Sequence, residues 1–444
     1  MRVVVVGAGE VGSSIAASLA DSHEVVVIDV DAEKVEQLNY SVDALAIEGD
    51  GASLPTLQEA GIEDADILIA STDNDETNII TCGTAKTVAD LFTIARIKGT
   101  NYLETWQGAE GALGVDFMVG TTMLTARSVV RVIGLPAARD VDTFAGGRVQ
   151  MAEFEIPEDS PIAGQTVQEA DRFESLTFAA ILREDNVVVP RGETVIEAGD
   201  EVVVIGSEES VHAMAAEVSP HIGAGDDDVL IVGGTEVACQ IARLLEEQGL
   251  KPRLVEHDHD RARELAEQLP NTTVLEHDGT DREFLEREHV DEVDTVVAAL
   301  HRNERNLLVS LLTKRLGVDR AVAVVDETEY SQLFEAVGVD VAVSPRETTA
   351  EEITRFTRER RAENVALIEN DRAEVIEIEV DDESVLAGRP IHESIQSLPD
   401  GLVIGAITRN GDFVIPRGDT VIEIGDNVVV FAEATILEEA TSKL

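Results

Sequence analysis

The glycines of Gly7-Ala8-Gly9-Glu10-Val11-Gly12 suit one chemical task, holding a pyrophosphate. In such a loop Gly7 permits the turn, Gly9 lets the phosphates approach the backbone, and Gly12 lets a helix pack closely on a strand. The N–H groups at the helix start, with the positive end of its dipole, then face the anion. Asp29 follows at about the spacing at which a carboxylate holds a ribose hydroxyl. Further polar residues wait at later strand ends: Glu48-Gly49-Asp50-Gly51, the run Ser71-Thr72-Asp73-Asn74-Asp75-Glu76-Thr77-Asn78, and Arg96.

The elements that would position these residues are legible in the apolar pattern. Arg2-Val3-Val4-Val5-Val6 is a buried strand, Ser13 to Ala20 a helix, and Glu24-Val25-Val26-Val27-Ile28 a second strand ending at Asp29. Helices from Ala32 to Asn39 and from Ser53 to Ala60 alternate with strands at Ala44–Ile47, Asp66–Ala70, Phe92–Ile97 and Val115–Val119. Strands and helices alternating in this way predict a doubly wound parallel sheet, whose ligand crevice lies outside the carboxyl ends of the strands. All the polar residues named above fall on that edge.

A helix from Thr122 to Ile133 stops at Gly134-Leu135-Pro136, and the pattern changes. From Arg148 to Ile205 short strands and turns predict a small β-rich domain with a little helix, and His221 to Asp228 reads as a linker. The chain then starts again. Pro190-Arg191-Gly192-Glu193-Thr194-Val195-Ile196-Glu197-Ala198-Gly199-Asp200 recurs almost letter for letter from Pro416 to Asp426, and Val6-Gly7 recurs at Val232-Gly233 with the same displacement. The chain is a tandem duplication of one two-domain unit. In the second copy Glu256 takes the place of Asp29, Asp278-Gly279 that of Asp50-Gly51, and Asn306 that of Asn78.

Composition narrows the class. With 444 residues the chain holds several domains, and it has no apolar stretch near the roughly 20 residues that span a bilayer. Met1 leads straight into the first strand, so no signal peptide is expected. Cys82 and Cys239 lie far apart, which suits a reducing cytosol and gives no cysteine-based zinc module. The net charge of −54 repels nucleic acid and anionic lipid. Only six of the 34 basic residues are lysines, a balance like that of proteins from molar-salt cytoplasm, where a Debye length of about 3 Å screens self-repulsion.

With these residues in view, the chain resembles the TrkA family, the cytosolic regulatory subunits of Trk-type potassium uptake systems. The marks are Gly7 to Gly12 with Asp29, Glu48-Gly49-Asp50-Gly51, Asp73 to Asn78, Arg96, and the twice-used Pro-Arg-Gly segment ending in Gly-Asp. The resemblance implies two Rossmann-like doubly wound domains, called RCK or KTN, each followed by a small α+β RCK C-terminal domain. The boundaries expected are 1–138, 139–222, 226–362 and 363–444. It further implies binding of NAD(H) and of adenine nucleotides such as ATP or ADP. Assembly into a homo-oligomeric ring of eight RCK domains follows as well, docked at the inner face of the cell membrane on a potassium-translocating subunit. On this reading Gly7, Gly9 and Gly12 hold the pyrophosphate, Ala8, Glu10 and Val11 belong to the same binding loop, and Asp29 takes the adenosine ribose. Asp50 lies near the adenine, Asp73 and Asn78 near the distal phosphate or second ribose, Arg96 partners an anion, and Gly51, Ser71 and Thr72 are further cofactor-binding residues.

The second copy is degraded where it matters. Its loop reads Gly233-Gly234-Thr235-Glu236-Val237-Ala238, and Thr235 puts a Cβ and a hydroxyl where Gly9 gives access. Apolar residues, Ala323 to Val325, fill the place of Arg96. The main nucleotide site is therefore expected in the first half, with Gly233 to Val237, Glu256 and Asp278 as an altered or degenerate second site. His257, His259, His277 and His301, with Asp258 and Asp278, fall on the same edge, but none forms a ligand pair at a recognised spacing, so no metal is expected. The competing class is an NAD-dependent oxidoreductase, which needs a proton donor aimed at the nicotinamide. Three tyrosines (Tyr40, Tyr102, Tyr330) and, in the first half, His23 and His212 are poor candidates, and the small β-rich domain is an unusual catalytic partner. A regulator of another transporter or antiporter built from the same domains is the nearer alternative.

Overall fold

The computed structural model describes every residue except 21, 109–111, 136, 184–185, 220–227, 327, 359–363, 369–372, 383, 400, 434–435, 437–439 and 441–444. The expected linker therefore lies outside the described residues, apart from Asp228.

The first half opens with β1 (Arg2–Val6), α1 (Glu10–Ala20), β2 (Glu24–Asp29), α2 (Ala32–Ser41), β3 (Leu45–Glu48) and α3 (Leu54–Glu59). It continues through β4 (Ile67–Ala70), α4 (Asp75–Lys86), β5 (Phe92–Ile97), α5 (Thr100–Gly108), β6 (Phe117–Gly120) and α6 (Thr121–Gly134). The strands form one parallel sheet in the order β3-β2-β1-β4-β5-β6. β1 is flanked by β2 on one side and β4 on the other, so both its edges are paired, and Val3, Val4, Val5 and Val6 are buried. Each such side chain contributes on the order of 1.5–3 kcal/mol. That order reverses direction between β1 and β4, and the crevice at such a switch point is where a ligand binds in doubly wound sheets.

A small antiparallel sheet follows, built from β7 (Ala138–Phe144), β8 (Val149–Glu155), α7 (Val167–Ala170), β9 (Leu176–Arg183), β10 (Asn186–Val188), β11 (Glu201–Gly206) and α8 (Glu208–Val218). Its strand order is β10-β9-β11-β8-β7. β7 starts before the stretch in which strands were expected, because Ala138 to Phe144 carries charged residues at Arg139, Asp140 and Asp142 that mask its alternation. Likewise α5 was not anticipated; its Tyr102, Leu103 and Trp106 pack on the core of the parallel sheet.

The second half repeats this plan. Its parallel sheet is made by β12 (Val229–Val232), α9 (Glu236–Glu247), β13 (Arg253–Glu256), α10 (His259–Gln268), β14 (Thr273–Glu276), α11 (Arg282–Arg287), β15 (Thr295–Ala298), α12 (Asn303–Leu316), β16 (Arg320–Val324), α13 (Thr328–Ala336), β17 (Val341–Val343) and α14 (Pro345–Arg358). The order is β14-β13-β12-β15-β16-β17, the same as in the first half. Then come β18 (Asn364–Ile368), β19 (Ala373–Glu379), α15 (Ile391–Ser394), β20 (Leu402–Arg409), β21 (Asp412–Val414) and β22 (Asn427–Glu433), in the order β18-β19-β22-β20-β21. That is again the first half's arrangement, read from the opposite edge.

By compactness the chain divides into two units, one of residues 1–129 with 228–354 and the other of residues 130–227 with 355–444. The first unit thus holds both parallel sheets and the second both antiparallel ones. In the second unit the segment repeated almost letter for letter has a plain structural use. Asp200 receives the Arg183 guanidinium through Nε and Nη2, each at 2.7 Å, and Asp426 receives Arg409 in the same way at 2.8 Å. Each aspartate also accepts a backbone N–H, from Glu197 at 2.7 Å and from Glu423 at 2.8 Å. Each pairing fastens the turn before the last strand of its sheet to the end of a neighbouring strand.

Candidate functional site

The loop after β1 is built as its glycines require. Gly7 has φ +107°, and a Cβ there would lie 3.0 Å from the Thr72 nitrogen across the crevice. At Gly12 a Cβ would stand 1.8 Å from the Gly7 carbonyl oxygen, so helix and loop touch without room for a methyl group. Gly9 differs: nothing lies within 4 Å of the place its Cβ would take. The open position is the one assigned to phosphate access.

Asp29, at the end of β2, fastens this loop. One carboxylate oxygen accepts the Ala8 N–H and the other the Asp31 N–H, the latter at 2.8 Å. A carboxylate has about four acceptor directions, so each oxygen keeps one for a ribose hydroxyl. Asp50 accepts the Ala52 N–H at 2.9 Å and remains exposed, while Gly51 sits where a Cβ would strike Val6 at 2.1 Å. Val11 is buried and Glu10 exposed.

Across the crevice, Ser71 is buried and donates to the Val6 carbonyl at 3.2 Å. Asn78 has no exposed surface. Its carboxamide oxygen accepts from the Thr72 N–H at 2.9 Å and hydroxyl at 2.6 Å, and its nitrogen donates to the carbonyls of Thr72 at 3.0 Å and Arg96 at 2.8 Å. Asn78 therefore ties two strand ends together instead of facing the crevice. Arg96 is buried, yet its three side-chain contacts are long: 3.4 Å to Asp73, 3.5 Å to the Ser71 carbonyl and 3.4 Å to the Thr121 hydroxyl. Burial pulls the Arg96 pKa down, against the opposing pull of Asp73. Asp73 is held below the ordinary carboxylate range by its 2.8 Å hydrogen bond from Lys98, burial working the other way.

Two site residues escaped the sequence reading. Lys98 lies two residues beyond Arg96 on the same strand end, a spacing that puts both on one face, and its rarity in this chain was a usable signal. Arg346 left no such trace, since it comes from α14 of the other half. Its guanidinium pairs with Glu10, in the first turn of α1.

In the second crevice the corresponding side chains bond to their own loop and to one another. Thr235, standing where Gly9 does, accepts the Ala238 N–H at 3.2 Å and donates to the Ala299 carbonyl at 2.8 Å, so it caps α9. Glu256 accepts the N–H groups of Gly234 at 2.6 Å and Asp258 at 2.7 Å. Arg261 donates to the Gly234 carbonyl at 2.8 Å and reaches Glu236 at 3.5 Å, while Gly233 takes the turn at φ +118° and Val237 follows Glu236 in the helix. Asp278 is engaged by Arg305 at 2.8 and 3.0 Å. Asn306 repeats the role of Asn78, donating to Val324 at 2.7 Å, which fixes Val324 as the counterpart of Arg96. Each of three histidines on this edge meets a carboxylate: His257 with Glu256 at 2.7 Å, His259 with Glu276 at 2.8 Å and His277 with Asp281 at 3.9 Å. His259 titrates above the ordinary histidine value because of Glu276. Among the described residues no three His, Cys, Asp or Glu groups gather to hold a metal ion.

Comparison with known proteins decides the family. The TrkA-N domain model matches residues 3–119 and 229–345, and the TrkA-C domain model residues 151–219 and 375–444. The chain belongs to the TrkA family. It is similar to the Trk system potassium uptake protein TrkA homolog 1 of Methanosarcina mazei, 36% identical over 99% of both chains. To the TrkA homolog of Archaeoglobus fulgidus it is 36% identical, again over 99% of each, and to TrkA of Halomonas elongata 32% identical over 94% and 92%. Among solved structures, the GsuK channel matches with a TM-score of 0.62 at 18% identity, covering 99% of this chain and 78% of that one, a likeness of fold. Membership in TrkA makes the chain a regulatory protein of potassium transport rather than an enzyme. Among the described residues no helix is long and apolar enough to cross a membrane.

Proposed function

We propose that this chain is a nucleotide-sensing subunit that gates a separate potassium-translocating membrane subunit, and that the sensing site is the crevice of the first half. The observation that carries this reading is the contrast between two copies of one loop. Gly9 faces open space, whereas Thr235, its twin, is spent on capping its own helix. NAD(H) suits the first crevice, and ATP or ADP would use the same loop. Gly7, Gly9 and Gly12 shape the pyrophosphate cradle, Asp29 takes the adenosine ribose, Asp50 borders the adenine, and Asp73, Lys98 and Arg96 surround the distal end. Support comes from a solved structure with the same fold, titled GsuK channel bound to NAD, at a TM-score of 0.61, and from another titled GsuK bound to ADP, at 0.50.

Gating would proceed by population shift. A nucleotide that fits one arrangement of the two nucleotide domains better than another stabilises that arrangement by the difference in its binding free energy. We place the chain at the cytoplasmic face of the membrane, in a homo-oligomeric ring of eight nucleotide-binding domains, with divisions near residues 138, 222 and 362. The fold shared with a human SLO3 gating ring, at a TM-score of 0.50, is consistent with ring assembly. Potassium flux into vesicles carrying the membrane subunit, with and without NADH and ATP, tests the proposal. Flux that depends on this chain but ignores both nucleotides would remove the sensing role and leave a passive scaffold.

A further inference from the structure

The first crevice contains a residue from the other half of the chain. Arg346, at the start of α14, pairs with Glu10, the residue between Gly9 and Val11 of the phosphate loop. Close by, the Thr349 hydroxyl donates to that of Thr121 at 3.1 Å, and Thr121 is in turn a partner of Arg96. Arg346 is near enough to Asp73 and to Arg96 to act on the charge of both. Burial pulls its pKa down, but the hydrogen bond to Glu10 and the charges of Glu10, Asp73 and Asp326 together hold it above the ordinary value.

Duplication supplies an internal comparison. Gly114-Val115-Asp116 aligns with Gly338-Val339-Asp340, which sets Thr122 opposite Arg346. Asn78 and Asn306, fixed as counterparts by their bonding, set Val324 opposite Arg96, Asp326 opposite Lys98, and His301 opposite Asp73. In place of the three permanent cations gathered at the first crevice, the second has a threonine, a valine and an aspartate. Within a chain of net charge −54, Arg96 and Lys98 on Asp73 and Arg346 on Glu10 set three cations at one crevice. Two carboxylates, Glu10 and Asp73, hold these cations, and a guanidinium fork matches a phosphate as it matches a carboxylate.

We infer that Arg346 is a ligand-binding residue of the first half's site, contributed by the second half, which exchanges Glu10 for the phosphate of a bound nucleotide. The inference rests on the nucleotide reading above and extends it: occupancy of one crevice is felt by both parallel-sheet domains, because the ligand is gripped from both. Adenosine, which has no phosphate, would not engage this arginine.

Calorimetric titration of the full-length chain with ATP and with adenosine tests this, in the salt that keeps the wild type folded. Arg346→Gln should weaken ATP at least tenfold and change adenosine less than twofold, while Arg346→Lys, which keeps the charge, recovers most of the ATP affinity. ATP binding by Arg346→Gln equal to wild type would overturn the inference. So would equal losses for ATP and adenosine, which would make Arg346 a residue that only holds the domains together. If the wild type bound neither ATP nor NADH, the nucleotide reading itself would fall, and the inference with it.

Discussion

At the scale of single residues, the phosphate loop makes separable demands at its glycines. Gly12 faces a contact that leaves no room, so Gly12→Ala should cost at least about 2 kcal/mol, seen as a lowered thermal midpoint. Gly9 faces open space, so Gly9→Thr should leave the midpoint nearly unchanged. The new hydroxyl would then cap α1 as Thr235 caps α9, and nucleotide affinity should fall tenfold or more by calorimetry. Unaltered affinity in Gly9→Thr would mean that the site lies elsewhere. These glycines were legible in the sequence because each answers a local backbone need, as were Asp29 and Arg96, which end strands of the same edge. Asn78 was legible as a polar position on the crevice edge but not in its role: three hydrogen bonds to backbone and one to the Thr72 hydroxyl turn it inward, and no sequence pattern separates a polar residue facing a crevice from one bracing its wall. Arg346 was not legible at all, since only the folded chain brings α14 to α1.

At the scale of elements, the repeated Pro-Arg-Gly segment was visible as a repeat, yet its purpose was not. Each copy ends in an aspartate, Asp200 or Asp426, that receives a forked arginine from the end of a neighbouring strand 17 residues earlier in the chain. For Asp426 burial alone would raise the pKa, but the Arg409 hydrogen bonds outweigh it and the group is held below the ordinary carboxylate range. A carboxyl depressed in the folded state stabilises the fold above its unfolded value, about 4, and that contribution is lost as pH falls through the folded value. Asp426→Ala should therefore lose about 2–3 kcal/mol at neutral pH, because it strands Arg409 and an amide, and the gap from wild type should narrow below about pH 4. Denaturant midpoints at both pH values check this; a gap that widened in acid would contradict the pairing. Strands and helices of the parallel sheets were readable because buried apolar runs alternate with amphipathic ones. β7 was missed because charged residues interrupt it, and α5 because its inward residues, Tyr102, Leu103 and Trp106, occupy barely two turns.

At the scale of the whole molecule, duplication explains both the plan and the asymmetry. One ancestral pair of domains gives two parallel sheets of identical strand order and two antiparallel sheets of matching order. Divergence then left the first crevice with an open loop and three cations, and filled the second with Thr235, Glu256, Arg261 and the Arg305–Asp278 pair. The net charge of −54 acts on the same scale, since self-repulsion in dilute buffer is screened only when the Debye length falls to about 3 Å near 1 M salt. Dialysis from molar potassium chloride into dilute buffer should therefore cost structure, and circular dichroism unchanged on dialysis would contradict it. The central claim is that one crevice senses and the other has been retired. Its most direct test is the calorimetric stoichiometry of NADH or ATP on the full-length chain in molar salt. One nucleotide per chain is the predicted result, and two per chain with similar affinity would contradict it.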